Sequence, residues 1–254
     1  MNTPLASGNA SLLNKVPQVT FFFWVVKIMA TTVGETAADF LNFNLHLGLT
    51  KTSIIMGTLL FISLIIQVLS QKYMPWKYWL AVVLISVFGT LVTDNLVDNY
   101  GVALKTTTII FSIALLASFA VWYVSEKTLS IHTIYTKKRE LFYWLVILFT
   151  FALGTAAGDL VAEGMRLGYA TSAFVFAGAI GLVALAYYAF KLNAVAAFWF
   201  AYVLTRPFGA SCGDYLSQPA KYGGLGLGTT ITSVAFLVII VGLIVYFTTS
   251  KTDT

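Results

Sequence analysis

The stretch Trp24-Val25-Val26-Lys27-Ile28-Met29-Ala30-Thr31-Thr32-Val33-Gly34-Glu35-Thr36-Ala37-Ala38-Asp39 decides the fold, because its frame recurs. Trp24, Trp79, Trp144 and Trp199 each open the same pattern. A glycine follows ten residues on (Gly34, Gly89, Gly154, Gly209) and an aspartate fifteen residues on (Asp39, Asp94, Asp159, Asp214). Three fixed positions in four copies define an internal repeat, each copy being one supersecondary unit. The tryptophans are spaced 55, 65 and 55 residues apart, so the repeats also group as two pairs.

Around this frame the chain is apolar. Of 254 residues 59% are hydrophobic and 10% charged, with a mean hydropathy of +0.85. A soluble domain carries about a quarter charged residues. Apolar runs fall near 19–38, 54–70, 78–93, 108–124, 141–157, 171–190, 194–210 and 230–247. Runs close to 20 residues long read as membrane spans, and they are continuous rather than alternating, which excludes a barrel. The predicted fold is an all-α integral membrane protein, with eight transmembrane helices from four tandem two-helix repeats in two halves. It is a single membrane domain over 1–254, with repeats at about 15–72, 73–127, 137–191 and 192–251. The polar connection 125–140 divides the halves. Residues 1–14 are polar and uncharged, unlike the basic start of a cleavable signal peptide. A single cysteine, Cys212, excludes an internal disulfide.

Charge sets the predicted topology. Two spans per repeat place all four aspartates on one side. Lys15, Lys72, Lys77, Lys127, Lys137, Lys138, Arg139, Lys191 and Lys251 fall on the other, against Lys51, Lys105, Arg166 and Lys221 on the aspartate side. The positive-inside rule then puts both termini in the cytoplasm of a bacterial plasma (inner) membrane and the aspartates outside. The net charge of +5 follows from these loops and requires no nucleic-acid partner. The expected partners are the lipid bilayer and a small ion or solute. The four tryptophans, together with Thr31-Thr32-Val33-Gly34-Glu35-Thr36-Ala37-Ala38-Asp39, carry a resemblance. Over Lys15 to Lys251 the chain resembles a bacterial family of uncharacterised membrane-anchored proteins, made of four tandem two-helix repeats, each with a signature tryptophan. The resemblance implies the architecture and brings no activity with it.

Each glycine starts a small-xxx-small pair (Gly34/Ala38, Gly89/Thr93, Gly154/Gly158, Gly209/Gly213) that lets helix backbones approach. Each tryptophan is either an interfacial anchor or packing, or an inward gate. Each aspartate is either a helix-end cap or one member of a carboxylate ring that concentrates cations. In the second case Asp39, Asp94, Asp159 and Asp214 are substrate or metal ligands, and a divalent cation is the one cofactor suggested. Three charges break the repeat symmetry: Lys27 and Glu35 in the first copy, and Arg206, followed by Pro207, in the fourth. If repeats one and four adjoin, Glu35 and Arg206 form a buried pair that Lys27 can join, because unpaired charges at this depth are costly. Pro207 permits a helix break of the sort found at transporter sites. The loop 217–228, rich in glycine, has the composition of a lid. His46 and His132 fall on opposite sides and do not share a metal.

No nucleophile–base pair, HExxH helix or nucleotide loop is present, so an enzyme is not expected. The leading expectation is a transporter or channel for a small cation, either a divalent metal or a proton-coupled ion. The aspartates form its exterior site, and Glu35, Arg206 and Lys27 its coupling or gating group. Two alternatives remain: a non-transporting scaffold or stress sensor, and a transporter of a small organic or anionic solute bound at Arg206.

Overall fold

The computed structural model describes residues 14–250. The polar stretch before Asn14 and Lys251 lie outside the described residues. Among the described residues there are eight long helices and no strand. They are α1 (Phe21–Asp39), α2 (Leu49–Leu69), α3 (Pro75–Asp94), α4 (Leu104–Glu126), α5 (Lys137–Asp159), α6 (Tyr169–Phe190), α7 (Ala194–Ser217) and α8 (Thr229–Ser250). Local chemistry starts them. Thr20 caps α1 through the Phe23 amide, Thr136 caps α5 through Arg139, and Asn193 caps α7 through Val195 and Ala196. Each side-chain oxygen takes an amide left without a partner in the first turn. Pro75 occupies the first turn of α3, where its missing N–H costs nothing.

The motif helices α1, α3, α5 and α7 form a closed ring, each packed against the next and α7 against α1. The plainer helices form an outer layer, and each packs on the motif helix of the following repeat: α2 on α3, α4 on α5, α6 on α7, and α8 back on α1. Hydroxyls and amides pin three of these four outer contacts. Asn95 donates to Ser53 at 2.7 Å, Ser172 and Ser211 bond at 2.9 Å, and Ser233 donates to Thr36 at 2.7 Å.

The repeat glycine makes the inner seam, and it makes the same seam four times. A methyl group on Gly34 would strike Ser86. On Gly89 it would strike Phe151, on Gly154 Arg206, and on Gly209 Thr31. Each of these is the residue seven positions after the tryptophan of the next repeat, so one contact is carried around the ring and back to its start. The second small residue of the pair continues the seam. Thr93 donates to the Ala152 carbonyl at 2.9 Å, and Gly158 lies against Pro207.

Seven of the eight helices are long and apolar enough to cross a membrane; α7 is the one left out. The reason is its polar content. Arg206, Pro207, Ser211, Gly213, Asp214 and Ser217 are all buried in protein, and they lower the hydropathy of α7 below that of the other ring helices. The outer helices do the opposite and expose Ile54, Phe61, Ile113, Phe174, Leu182 and Val238. Exposed apolar side chains in this number suit a lipid environment.

Three sequence expectations are corrected. The motif helices do not end at their aspartates: single π-helical turns, Phe40–Asn44, Asn95–Asn99 and Leu160–Gly164, carry the first three onward. The inter-half connection is shorter than expected, because Lys137 to Glu140 form the first turn of α5. The glycine-rich segment after α7 is tied down rather than free. The amides of Leu225, Gly226, Leu227 and Gly228 donate to the carbonyls of Tyr215, Gln218, Leu216 and Ser217. Gly224 has no room for a side chain against the Gln218 carbonyl.

A carboxylate-lined vestibule closed by a buried ion pair

The closed ring brings the four repeat aspartates to one place. Asp39, Asp94, Asp159 and Asp214 line a single cavity of about 560 Å³ at one end of the inner ring. Glu35 lines it one turn deeper, and Asp98 and Glu163 line it one turn further out, on the π-helical extensions. Among the described residues no lysine or arginine lines it. The helix-end cap is not what the aspartates do. Asp39, Asp94 and Asp159 make no side-chain cap hydrogen bond to the turns that follow them, and Asp214 lies within α7. Asp39 accepts from the Gln218 side chain at 3.1 Å. Asp214 is 7% exposed. The carboxylates converge on a space rather than on a point: among the described residues, no three His, Cys, Asp or Glu side chains are placed to hold a metal ion.

The deep end of the cavity is closed by the charges that break the repeat. Arg206 Nη2 lies 2.9 Å from Glu35 Oε2 and 2.8 Å from Thr155 Oγ1, and it also donates to Thr90. Its Nη1 donates to the Thr31 carbonyl at 3.3 Å. One guanidinium from α7 thereby ties itself to α1, α3 and α5. Glu35, Thr90 and Thr155 all stand eleven positions after their tryptophans, so this plug is a layer of the repeat with one copy changed to a carboxylate. Pro207 does not break α7, which runs unbroken from Ala194 to Ser217. Its ring lies in the groove made by Gly154 and Gly158.

Lys27 does not join the pair. Its ammonium is fully buried, has no hydrogen-bond acceptor among the described residues, and lies 4.2 Å from the ring centroids of both Phe151 and Tyr202. Ring faces attract a cation but do not replace a carboxylate. Beyond it the axis is aromatic. The Tyr78 and Tyr143 hydroxyls bond at 2.5 Å, and Trp79, Trp144 and Trp199 are buried around them. Trp199 donates to the Leu129 carbonyl at 2.9 Å. Trp24 is half-buried and borders a separate apolar groove. Trp79, Trp144 and Trp199 therefore pack inward and fill the far half of the ring, whereas Trp24 stays at its margin.

One buried pair went unseen in the sequence. Lys15, counted there among loop cations, donates to Glu140 at 2.7 Å, and Gln67 donates to the same carboxylate at 3.2 Å. No repeat position marks it, and the partners are far apart in the chain.

A ring of four two-helix repeats, closed on itself and holding an acidic axial cavity, defines an all-helical repeat protein. The chain belongs to the family described as Repeat of Unknown Function (DUF347), which matches it four times, at residues 22–73, 77–128, 142–193 and 197–253. No curated protein and no solved structure matches the chain.

Proposed function

We propose that the protein is an eight-span membrane transporter that takes a small cation into the carboxylate vestibule and couples its movement to protons. In this reading the vestibule faces the exterior and both termini lie in the cytoplasm, following the distribution of loop cations. The observation that carries it is the convergence of four repeat aspartates and Glu35 on one cavity with no basic residue in its wall. Carboxylates gathered without cations of their own attract positive charge from the aqueous side.

Of the two cation classes expected from sequence, the arrangement favours proton coupling over passage of a bare metal. An ion leaving the vestibule inward meets Arg206 and then Lys27, two fixed positive groups in a low-dielectric interior. A proton need not pass them as an ion. A proton on Glu35 removes the charge that holds Arg206, and the freed guanidinium then turns toward the aspartates and displaces the cation there. The anionic-solute alternative is weakened because the cavity lies on the carboxylates and Arg206 already bonds protein groups on three helices. One observation favours a static scaffold: tyrosine and tryptophan side chains fill the far half of the ring.

Proteoliposomes loaded with a pH dye separate these readings. The transporter reading expects cation-driven proton movement that Glu35→Gln abolishes, with the protein still folded. Wild-type flux in Glu35→Gln sinks the coupling role, and absence of flux in the native protein leaves the scaffold.

A further inference from the structure

The vestibule is the wrong shape for a metal and the right shape for something longer. Divalent ions take six or more oxygens at about 2.0–2.6 Å, whereas no three potential ligands among the described residues come together. A volume of about 560 Å³ falls in the range of small-molecule sites, about 300–1,000 Å³. The negative groups are stacked along the axis. Glu35, then the aspartate ring, then Asp98 and Glu163 stand four residues apart on their helices, about 6 Å per step at 1.5 Å per residue. Beside the carboxylates the wall carries the apolar and aromatic groups of Phe43, Val97, Leu104 and Tyr169, with the amides of Asn42 and Gln218. Such surfaces take methylene groups and the faces of ammonium ions and offer a metal nothing. A second observation points to a missing ligand. Asp214 is 7% exposed and lines the cavity, and among the described residues its carboxylate has neither hydrogen bond nor ion pair. Its carboxylate opens onto the cavity, where a cationic group can reach it.

We propose that the cation is a linear organic polyamine, lying along the axis with successive ammonium groups at successive carboxylate levels and its methylenes against the aromatic wall. This rests on the cation reading above and names its substrate class.

The test is the thermal stability of the full-length purified protein at low ionic strength, titrated separately with spermidine, putrescine, magnesium and sodium. A ligand bound only by the folded state raises the melting temperature saturably. Spermidine is expected to reach half effect at a concentration at least about tenfold below that of magnesium, with putrescine between them. Asp214→Asn is expected to raise the spermidine half-effect concentration. Asp98→Asn, at an exposed position on the rim, is expected to do the same without endangering the fold. If magnesium acts at an equal or lower concentration, the polyamine assignment falls and the cation reading stands. If no cation moves the melting temperature, both fall. If spermidine acts equally on the native protein and on both variants, it binds elsewhere and the assignment is overturned.

Discussion

Glu35 and Arg206 show what a departure from symmetry does in a repeat. The layer of Glu35 holds threonine in two copies and Ala210 in the fourth; Arg206, four residues earlier on its helix, reaches into it, so one carboxylate and one guanidinium turn a passive ring into a charged plug. Removing one partner leaves the other buried and uncompensated, at a cost of about 3–5 kcal/mol. Arg206→Met should therefore lower the melting temperature sharply. Lys27→Met should leave it unchanged or raise it, because Lys27 has no acceptor to abandon. Calorimetry in detergent distinguishes the two, and a large loss for Lys27→Met would mean that the amine holds structure. The pairing of Glu35 with Arg206 was legible in the sequence, since both stand on one stripe of facing repeats. The place of Lys27 was not. Repeat position places a Cα, while a four-carbon side chain chooses its own end point, here between Phe151 and Tyr202. The Lys15–Glu140 pair was invisible for a different reason, being outside the repeated frame altogether.

At the scale of the helix, the glycines divide into two kinds. Gly209 faces Thr31 across the inner seam, whereas a methyl group on Gly178 of α6 would meet nothing within 4 Å. Gly209→Ala should destabilise by about 1–3 kcal/mol through overpacking. Gly178→Ala should be neutral or stabilising by up to about 1 kcal/mol, through lost backbone freedom in the unfolded chain. Thermal melts of the two variants side by side check this, and equal effects would mean that the seam is no tighter than the lipid-facing surface. The inner helices were legible because the tryptophan, glycine and aspartate recur in register. Their ends were not. An apolar run stops where charge begins, but Asp39, Asp94 and Asp159 continue into π-helical turns that no change of hydropathy marks. The same turns build the cavity's outer level, because they carry Asp98 and Glu163 one turn beyond the aspartates.

At the scale of the molecule, closure matters more than order along the chain. The sequence shows four units, yet nothing in it says that an outer helix abandons its own repeat for the next, because both choices bury the same apolar stripe. The packing of α8 on α1 makes the first and last repeats neighbours, and the Phe22 and Phe247 rings lie 5.4 Å apart. A circular permutant that joins the natural ends through a short linker and opens between Lys127 and Thr136 should therefore fold. Its melting temperature should lie within a few degrees of the parent by circular dichroism. Failure of that permutant to form a monodisperse helical species would show that the ring depends on the native chain order.

The hand-over of outer helices also sets a timetable for birth at the ribosome. Each repeat emerges with one flank bare and is covered only when the next arrives. The first motif helix waits longest, since both Arg206 and α8 come from the last repeat. At about 5–20 residues per second, the interval between Asp39 and Thr229 lasts on the order of tens of seconds. For most of that interval Lys27 waits for Tyr202 and Glu35 for Arg206, so the first motif helix is the last to be enclosed.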